Sequence, residues 1–350
     1  MFLNRLKKLK SYKTETTPCK VKLSSNELPF DLPEDLKEKI SKEIRKIPFQ
    51  RYPDPNITEL REILADIYGV NENNLVFGNG SDELIQLLIN TIGDLKKPIA
   101  YPIPTFPMYQ VSADTIGRDK VEFRLNENFD LVKGEIDKAL ERNVDIIFYA
   151  SPNNPTGNSF NSDLIRYTVD QNVFVVVDEA YIDFSDKKSF LNEALNEDNL
   201  VVLRTMSKIG LASIRLGVLI AREDIAMEIN KGRLPFNITY PTQVIAKVVL
   251  TEGLDIIREN INRIKIERDK LINELSKINE IKVYPSDANF ILIKTPNGDL
   301  IHRKLIEKGV LVRNMSHIPY MENCLRVSIG KPEENEIFIE SLREVIKENF

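Results

Sequence analysis

The chain has 350 residues, 42% hydrophobic and 29% charged, with a formal net charge of −5. That length exceeds what one compact core ordinarily holds, so two domains are expected, and the balance of apolar and charged residues excludes a mainly disordered chain. The charge excludes a general basic field for nucleic acid, no apolar run is long enough to cross a bilayer, and two cysteines with two histidines exclude a disulfide framework and a Cys/His zinc site.

In chain order, Met1 to Lys10 alternates apolar residues with lysine and arginine and reads as an amphipathic lead-in helix, since it lacks the apolar centre and cleavage site of a signal peptide. Lys22 to Pro29 reads as a polar loop closed by a proline. Gln50 to Pro55 is a second proline-punctuated loop, after which Asn56 and Glu59 give a capping signal for a helix with Leu60, Ile63, Leu64 and Ile67 on one face. Leu75 to Phe77 is a short strand that delivers Gly78-Asn79-Gly80-Ser81-Asp82-Glu83 into an apolar helix, a place where backbone N–H groups meet anions. Glu83 stands where the third glycine of a dinucleotide fingerprint would be, which argues against a nicotinamide site; a plain capped glycine turn is the ordinary alternative.

Ile99 to Tyr101 is a brief strand, and three prolines stiffen the loop after it around Phe106 and Tyr109. Asp145 to Ala150 is a buried strand that runs into Ser151-Pro152-Asn153-Asn154-Pro155-Thr156-Gly157. Val173 to Val177 is the most strand-like run of the chain and ends in Asp178-Glu179-Ala180-Tyr181. A carboxylate there is costly unless a cation or ring N–H faces it. Leu200 to Leu203 is a further strand, followed by Thr205, Ser207, Lys208 and Arg215. Two hydroxyls and an arginine suit a phosphate monoester, and a desolvated amine favours the neutral form that condenses with aldehydes. That combination points to pyridoxal 5′-phosphate; alone, Lys208 reads equally as an ordinary loop lysine.

Strands alternate with helices from about residue 75 to 221, which implies a mainly parallel sheet covered on both faces, with these segments converging on one rim. The character changes past Arg233-Leu234-Pro235. Residues 242 to 277 read as helix with Ile257, Ile261, Ile264, Leu271 and Leu275 in one stripe, followed by strands at Ile281 to Tyr284, Asn289 to Ile293, Val310 to Arg313 and Leu325 to Gly330, and by a closing helix. The expected division is a large domain over 30–235 and a smaller α+β domain formed by 1–29 and 236–350. Arg326 interrupts an apolar strand and is either paired with a structural carboxylate or reserved for an anionic ligand.

Together these segments resemble the fold type I pyridoxal-phosphate aminotransferases, and among them the histidinol-phosphate aminotransferase branch. The resemblance rests on Ser24 to Glu27, Arg51 to Asp54, Gly78 to Glu83, Pro104 to Tyr109, Ser151 to Gly157, Asp178 to Tyr181, Ser207-Lys208 to Arg215, and Leu325 to Gly330. It implies that Lys208 joins the cofactor aldehyde, Asp178 faces the pyridine nitrogen, and Tyr181 and Asn154 share the ring oxygen. Phe106 would stack on the ring, while Gly80, Ser81, Asp82, Thr205, Ser207 and Arg215 would hold the phosphate. It further implies a cytoplasmic homodimer in which Tyr52 reaches the cofactor of the other subunit. Arg326, Arg313, Tyr12 and Asn26 match substrate positions. The implied reaction converts L-histidinol phosphate and 2-oxoglutarate to imidazole acetol phosphate and L-glutamate, with Lys208 moving the Cα proton. The rivals on this scaffold are an aromatic amino-acid aminotransferase and a threonine-phosphate decarboxylase.

Overall fold

Seven short segments, six of them with most side chains buried and the edge strand β4 more exposed, pair into one twisted sheet: β2 (Leu75–Asn79), β3 (Ile99–Ile103), β4 (Lys120–Arg124), β5 (Ile146–Ala150), β6 (Phe174–Asp178), β7 (Leu200–Thr205) and β8 (Leu216–Ile220). The computed structural model describes Lys7 and residues 17–350. The remainder of the expected lead-in helix, and Tyr12, lie outside the described residues.

The sheet order is β2-β8-β7-β6-β5-β3-β4. Strands β7, β6, β5, β3 and β4 pair in parallel, and only β8 runs antiparallel to both of its neighbours. β2, β3, β5, β6 and β7 therefore share one direction, so their carboxyl ends lie on one rim, and the entry into β8 lies there too. This agrees with the parallel-dominated α/β reading. Apolar clusters on the two faces of the sheet, one around Tyr149 and Val177 and the other around Tyr109 and Phe148, keep it dry on both sides.

A second, smaller sheet has the order β1-β11-β12-β10-β9, formed by β1 (Val21–Leu23), β9 (Lys282–Val283), β10 (Phe290–Lys294), β11 (Val310–Asn314) and β12 (Cys324–Ser328). All its pairs are antiparallel except β1 with β11. The loop expected from Lys22 onward therefore begins as an edge strand: Val21 and Leu23 are buried and Lys22 points out, the period-two pattern of a half-buried strand.

Three other local expectations are revised. The helix Thr58–Tyr68 is not capped by Asn56; Asp54 accepts hydrogen bonds from the N–H groups of Asn56 (2.9 Å) and Thr58 (2.7 Å). Strands β4 and β8 were not expected. The apolar stripe from Ile257 to Leu275 serves two cores, since Ile257 packs with Leu60, Val249 and the large-sheet helices, whereas Ile264, Leu271 and Leu275 pack with Phe290 and Val327 of the small sheet. The preceding helix, Tyr240–Glu252, shares the first of these cores.

Candidate active site

The rim of the large sheet and one face of the small sheet close on a cavity of about 190 Å3. That is several times the roughly 30 Å3 one water occupies in the liquid, so the space suits an organic ligand. Asn26, Ser81, Asp82, Phe106, Asn154, Asp178, Tyr181, Thr205, Ser207, Lys208, Arg215, Arg313 and Arg326 all line it. Gly80 adjoins the cavity beneath Arg215, Tyr52 is not in its wall, and Tyr12 lies outside the described residues.

Asp178 ends the central strand β6, 4% exposed. Its Oδ2 accepts the Tyr109 hydroxyl at 3.0 Å and its Oδ1 accepts the Ala180 N–H at 3.1 Å. Burial pushes its carboxyl up to about 6, against the opposing pull of the Tyr109 hydrogen bond. Among the described residues no lysine or arginine forms an ion pair with it. A buried carboxyl in that condition is set for a cationic or N–H partner from a ligand. Tyr109, itself stacked on Phe148 at 4.8 Å, was not expected to support it. The two residues are 69 apart in sequence, and only the packing of the helix Met108–Ile116 against the sheet brings them together.

Gly80 opens the helix Gly80–Thr91 with φ +75°, and its N–H donates to the Arg215 carbonyl at 2.7 Å. A Cβ on Gly80 would lie 2.5 Å from Arg215 Nη2, and one on Gly217 would lie 2.5 Å from the Gly80 carbonyl carbon. Glycine is therefore required at both positions, and Gly217 is a second requirement that the turn's own sequence does not show. Arg215 adopts a left-handed backbone, φ 52°, which turns its guanidinium onto Ser207 Oγ at 3.2 Å and Asp82 Oδ2 at 3.0 Å. The Asp82 carboxylate is thus engaged with Arg215, leaving its backbone N–H at the helix start for an anion. Thr205 Oγ1 accepts the Ser207 N–H at 3.1 Å and shapes the turn that carries Lys208. Thr205 also donates its hydroxyl to the Leu216 carbonyl at 3.3 Å, so helix N–H groups, the Ser207 hydroxyl and an arginine form the anion cradle, with Thr205 shaping its floor.

Lys208 ends that short turn, half-buried, with Nζ 5.7 Å from the Tyr181 ring centroid. Phe106 lies edge-on to Tyr109, with centroids 5.8 Å apart. Behind the rim, Glu179 and Arg204 form a buried ion pair at 3.0 Å that ties the end of β6 to the end of β7. Asn153 also fixes this rim: it donates to the Pro104 carbonyl at 3.0 Å and accepts from Thr105 Oγ1 at 2.7 Å.

On the opposite wall, Arg313 of β11 and Arg326 of β12 are direct cross-strand partners. Residues opposite each other in such a pair share one face, so both guanidiniums reach the cavity. Arg326 donates to Asn154 Oδ1 at 2.6 Å and to the Ser24 carbonyl at 2.8 Å, both neutral acceptors. Asn26 Nδ2 donates to the Tyr181 hydroxyl at 3.0 Å, so its amide is committed to a protein partner.

Among the described residues, no helix is long and apolar enough to cross a membrane, and no group of three or more His, Cys, Asp or Glu side chains could hold a metal ion.

The model of the family "Aminotransferase class I and II" matches residues 18–342. A histidinol-phosphate aminotransferase from Aquifex aeolicus (strain VF5) is 48% identical over 356 residues, covering 99% of this chain and 98% of that protein. Another from Hydrogenobaculum sp. (strain Y04AAS1) is 47% identical over 348 residues, covering 99% of each. Among solved structures, histidinol-phosphate aminotransferase from Sinorhizobium meliloti in complex with pyridoxal-5′-phosphate superposes with a TM-score of 0.88 at 20% identity, over 99% of this chain and 98% of that one.

Proposed function

Since the chain belongs to the class I and II aminotransferase family, we propose that it transfers the amino group of L-histidinol phosphate to 2-oxoglutarate, giving imidazole acetol phosphate and L-glutamate, in histidine biosynthesis. The observation that carries this reading is the strand register that brings Arg313 and Arg326 to the same cavity as Lys208. Histidinol phosphate has no α-carboxylate, so the arginines meet a phosphate instead, and two guanidiniums suit its double charge.

The cofactor is pyridoxal 5′-phosphate, and the residues present fit it. The cradle of Gly80, Ser81, Asp82, Thr205, Ser207 and Arg215 would hold the phosphate, and the buried Asp178 carboxyl would face the ring nitrogen. Tyr181 and Asn154 would hold the ring oxygen, and Phe106 would cover the ring. When bound, the cofactor supplies an aldehyde that links to amines and a cationic ring that draws electrons from the carbon losing its proton. Lys208 Nζ holds the cofactor before substrate arrives and afterwards carries the proton from the substrate's Cα. Asp178 would keep the ring nitrogen protonated, since its buried carboxylate would favour the charged ring. Arg326 and Arg313 hold the far end of the substrate and so fix the Cα hydrogen toward Lys208.

The unit of function is a homodimer. Tyr52 is 78% exposed and stacked on Phe236 at 4.6 Å, with Phe49 and Leu234 nearby in sequence also exposed, which supports burial of this apolar patch against a second copy. Tyr52 would then reach the other subunit's cofactor. A chain with only two cysteines is in keeping with a cytoplasmic setting. The two sheets support a large cofactor-holding unit and a small arginine-bearing unit. The packing of Tyr240–Glu252 on the large-sheet helices supports extending the large unit beyond residue 235.

The test is relative catalytic efficiency. The enzyme is expected to favour histidinol phosphate over phenylalanine and tyrosine and to release no carbon dioxide from threonine phosphate. The reverse preference, or decarboxylation, moves the assignment to a rival on the same scaffold.

A further inference from the structure

Asn26 is 1% exposed, in a left-handed backbone conformation of φ 54°, and every polar group of the residue is engaged. Its N–H donates to Ser328 Oγ at 2.8 Å, Ser328 Oγ donates to Asn26 Oδ1 at 3.0 Å, and Asn289 Nδ2 donates to the Asn26 carbonyl at 3.1 Å. The Ser328 hydroxyl has one proton, and sending it to Oδ1 leaves Nδ2 as the atom that faces the Tyr181 hydroxyl at 3.0 Å. A phenol that accepts a hydrogen bond on its protein side keeps its own proton for the opposite side. For Tyr181 that side is the cavity.

We propose that Asn26 is a positioning residue that acts through Tyr181: its amide commits the phenol proton to the cofactor's ring oxygen, and Ser328 in turn holds the amide in that orientation. Ser328 stands two residues after Arg326 on β12, and Arg326 also grips the loop of Asn26 through the Ser24 carbonyl at 2.8 Å. The strand that carries the substrate-anion arginine thus also sets the direction of a hydrogen bond on the cofactor side, with the short loop 24–26 between them.

The inference rests on Tyr181 facing the cofactor, and the experiment separates the two claims. Asn26→Asp keeps the shape and the Ser328 contact but replaces the donor with an acceptor, which turns the Tyr181 proton away from the cavity. Asn26→Ala loses more packing yet leaves that proton free. The absorption spectrum of the cofactor-loaded, substrate-free protein should shift in the same direction in Asn26→Asp as in Tyr181→Phe, and less in Asn26→Ala. Catalytic efficiency should fall roughly tenfold in Asn26→Asp, and the double variant Asn26→Asp/Tyr181→Phe should be no worse than Tyr181→Phe. A role in packing alone would make the alanine variant the worse of the two and overturn the proposal. Additive losses, confined to the KM for substrate with an unchanged spectrum, would make Asn26 a substrate contact and overturn it as well. An unchanged spectrum in Tyr181→Phe would overturn both this role and the placement of Tyr181; a shift there with none in Asn26→Asp would overturn the Asn26 role alone.

Discussion

The two walls of the cavity are built on different principles. On the large-sheet wall the functional residues gather at or near strand ends on one rim, where short-range contacts such as Thr205 with Ser207 and Ala180 with Asp178 shape the turns, and Tyr109 and Asp82 brace Asp178 and Arg215 from neighbouring helices. On the small-sheet wall Arg313 and Arg326 lie within strands and meet through register, and Arg326 and Asn26 hold partners far off in sequence. The first arrangement fixes one ligand in one pose, as a resident cofactor requires. The second presents charge on a surface assembled from separate pieces of chain, and on the proposed function it would decide which substrate enters.

This contrast predicts that variants on the first wall abolish chemistry whereas variants on the second change preference. The largest effect is expected from Lys208→Ala, with turnover falling roughly a thousandfold or more while cofactor phosphate binding through Arg215 survives; steady-state rates and equilibrium dialysis check it. Asp178→Asn should lower turnover by roughly a hundredfold and should also change stability. The Asp178 carboxyl, about 6 in the fold against an ordinary 3.8, binds its proton more tightly folded than unfolded. The cofactor-free protein should therefore lose stability as pH rises from about 4 through 6, on the order of 3 kcal/mol. Asp178→Asn should flatten that dependence in thermal or urea unfolding. If the pH dependence persists in the variant, the burial of Asp178 is not its source.

On the second wall, Arg313→Ala is expected to lower catalytic efficiency with histidinol phosphate by roughly tenfold to a hundredfold, and that with phenylalanine or tyrosine by less. Arg326→Ala should depress both histidinol phosphate and glutamate, since on the proposed function both half-reactions would use it. Equal losses for every substrate in both variants would erase the distinction between the walls. The smallest effect is expected from Gly217→Ala, which presses a methyl group on the Gly80 backbone. It should cost on the order of 1–3 kcal/mol of stability and weaken cofactor binding, as read by unfolding and cofactor titration.

The same difference explains what the sequence disclosed. The large-sheet wall was legible because a buried strand followed by glycine, hydroxyl, lysine or carboxylate is a local pattern, and the parallel topology gathers such strand ends on one rim. Tyr109 under Asp178, Gly217 under Gly80 and the Glu179–Arg204 pair escaped because each depends on contacts between elements separate in the chain. On the small-sheet wall, Arg326 was conspicuous in an apolar run, but whether it served a carboxylate or a ligand was not, since its contacts with Asn154 and Ser24 arise only in the fold. The Asn56 cap and the Lys22 loop were misread for a related reason. Asp54 outcompetes Asn56 for the helix N–H groups, and β11 supplies a partner that turns Val21–Leu23 into a strand.

The central claim is that Lys208 is the residue that holds the cofactor. Borohydride reduction of the cofactor-loaded protein, followed by peptide mapping by mass spectrometry, tests it directly. The account predicts the reduced pyridoxyl phosphate mass on the peptide that contains Lys208, and label confined to a peptide without Lys208 would contradict it.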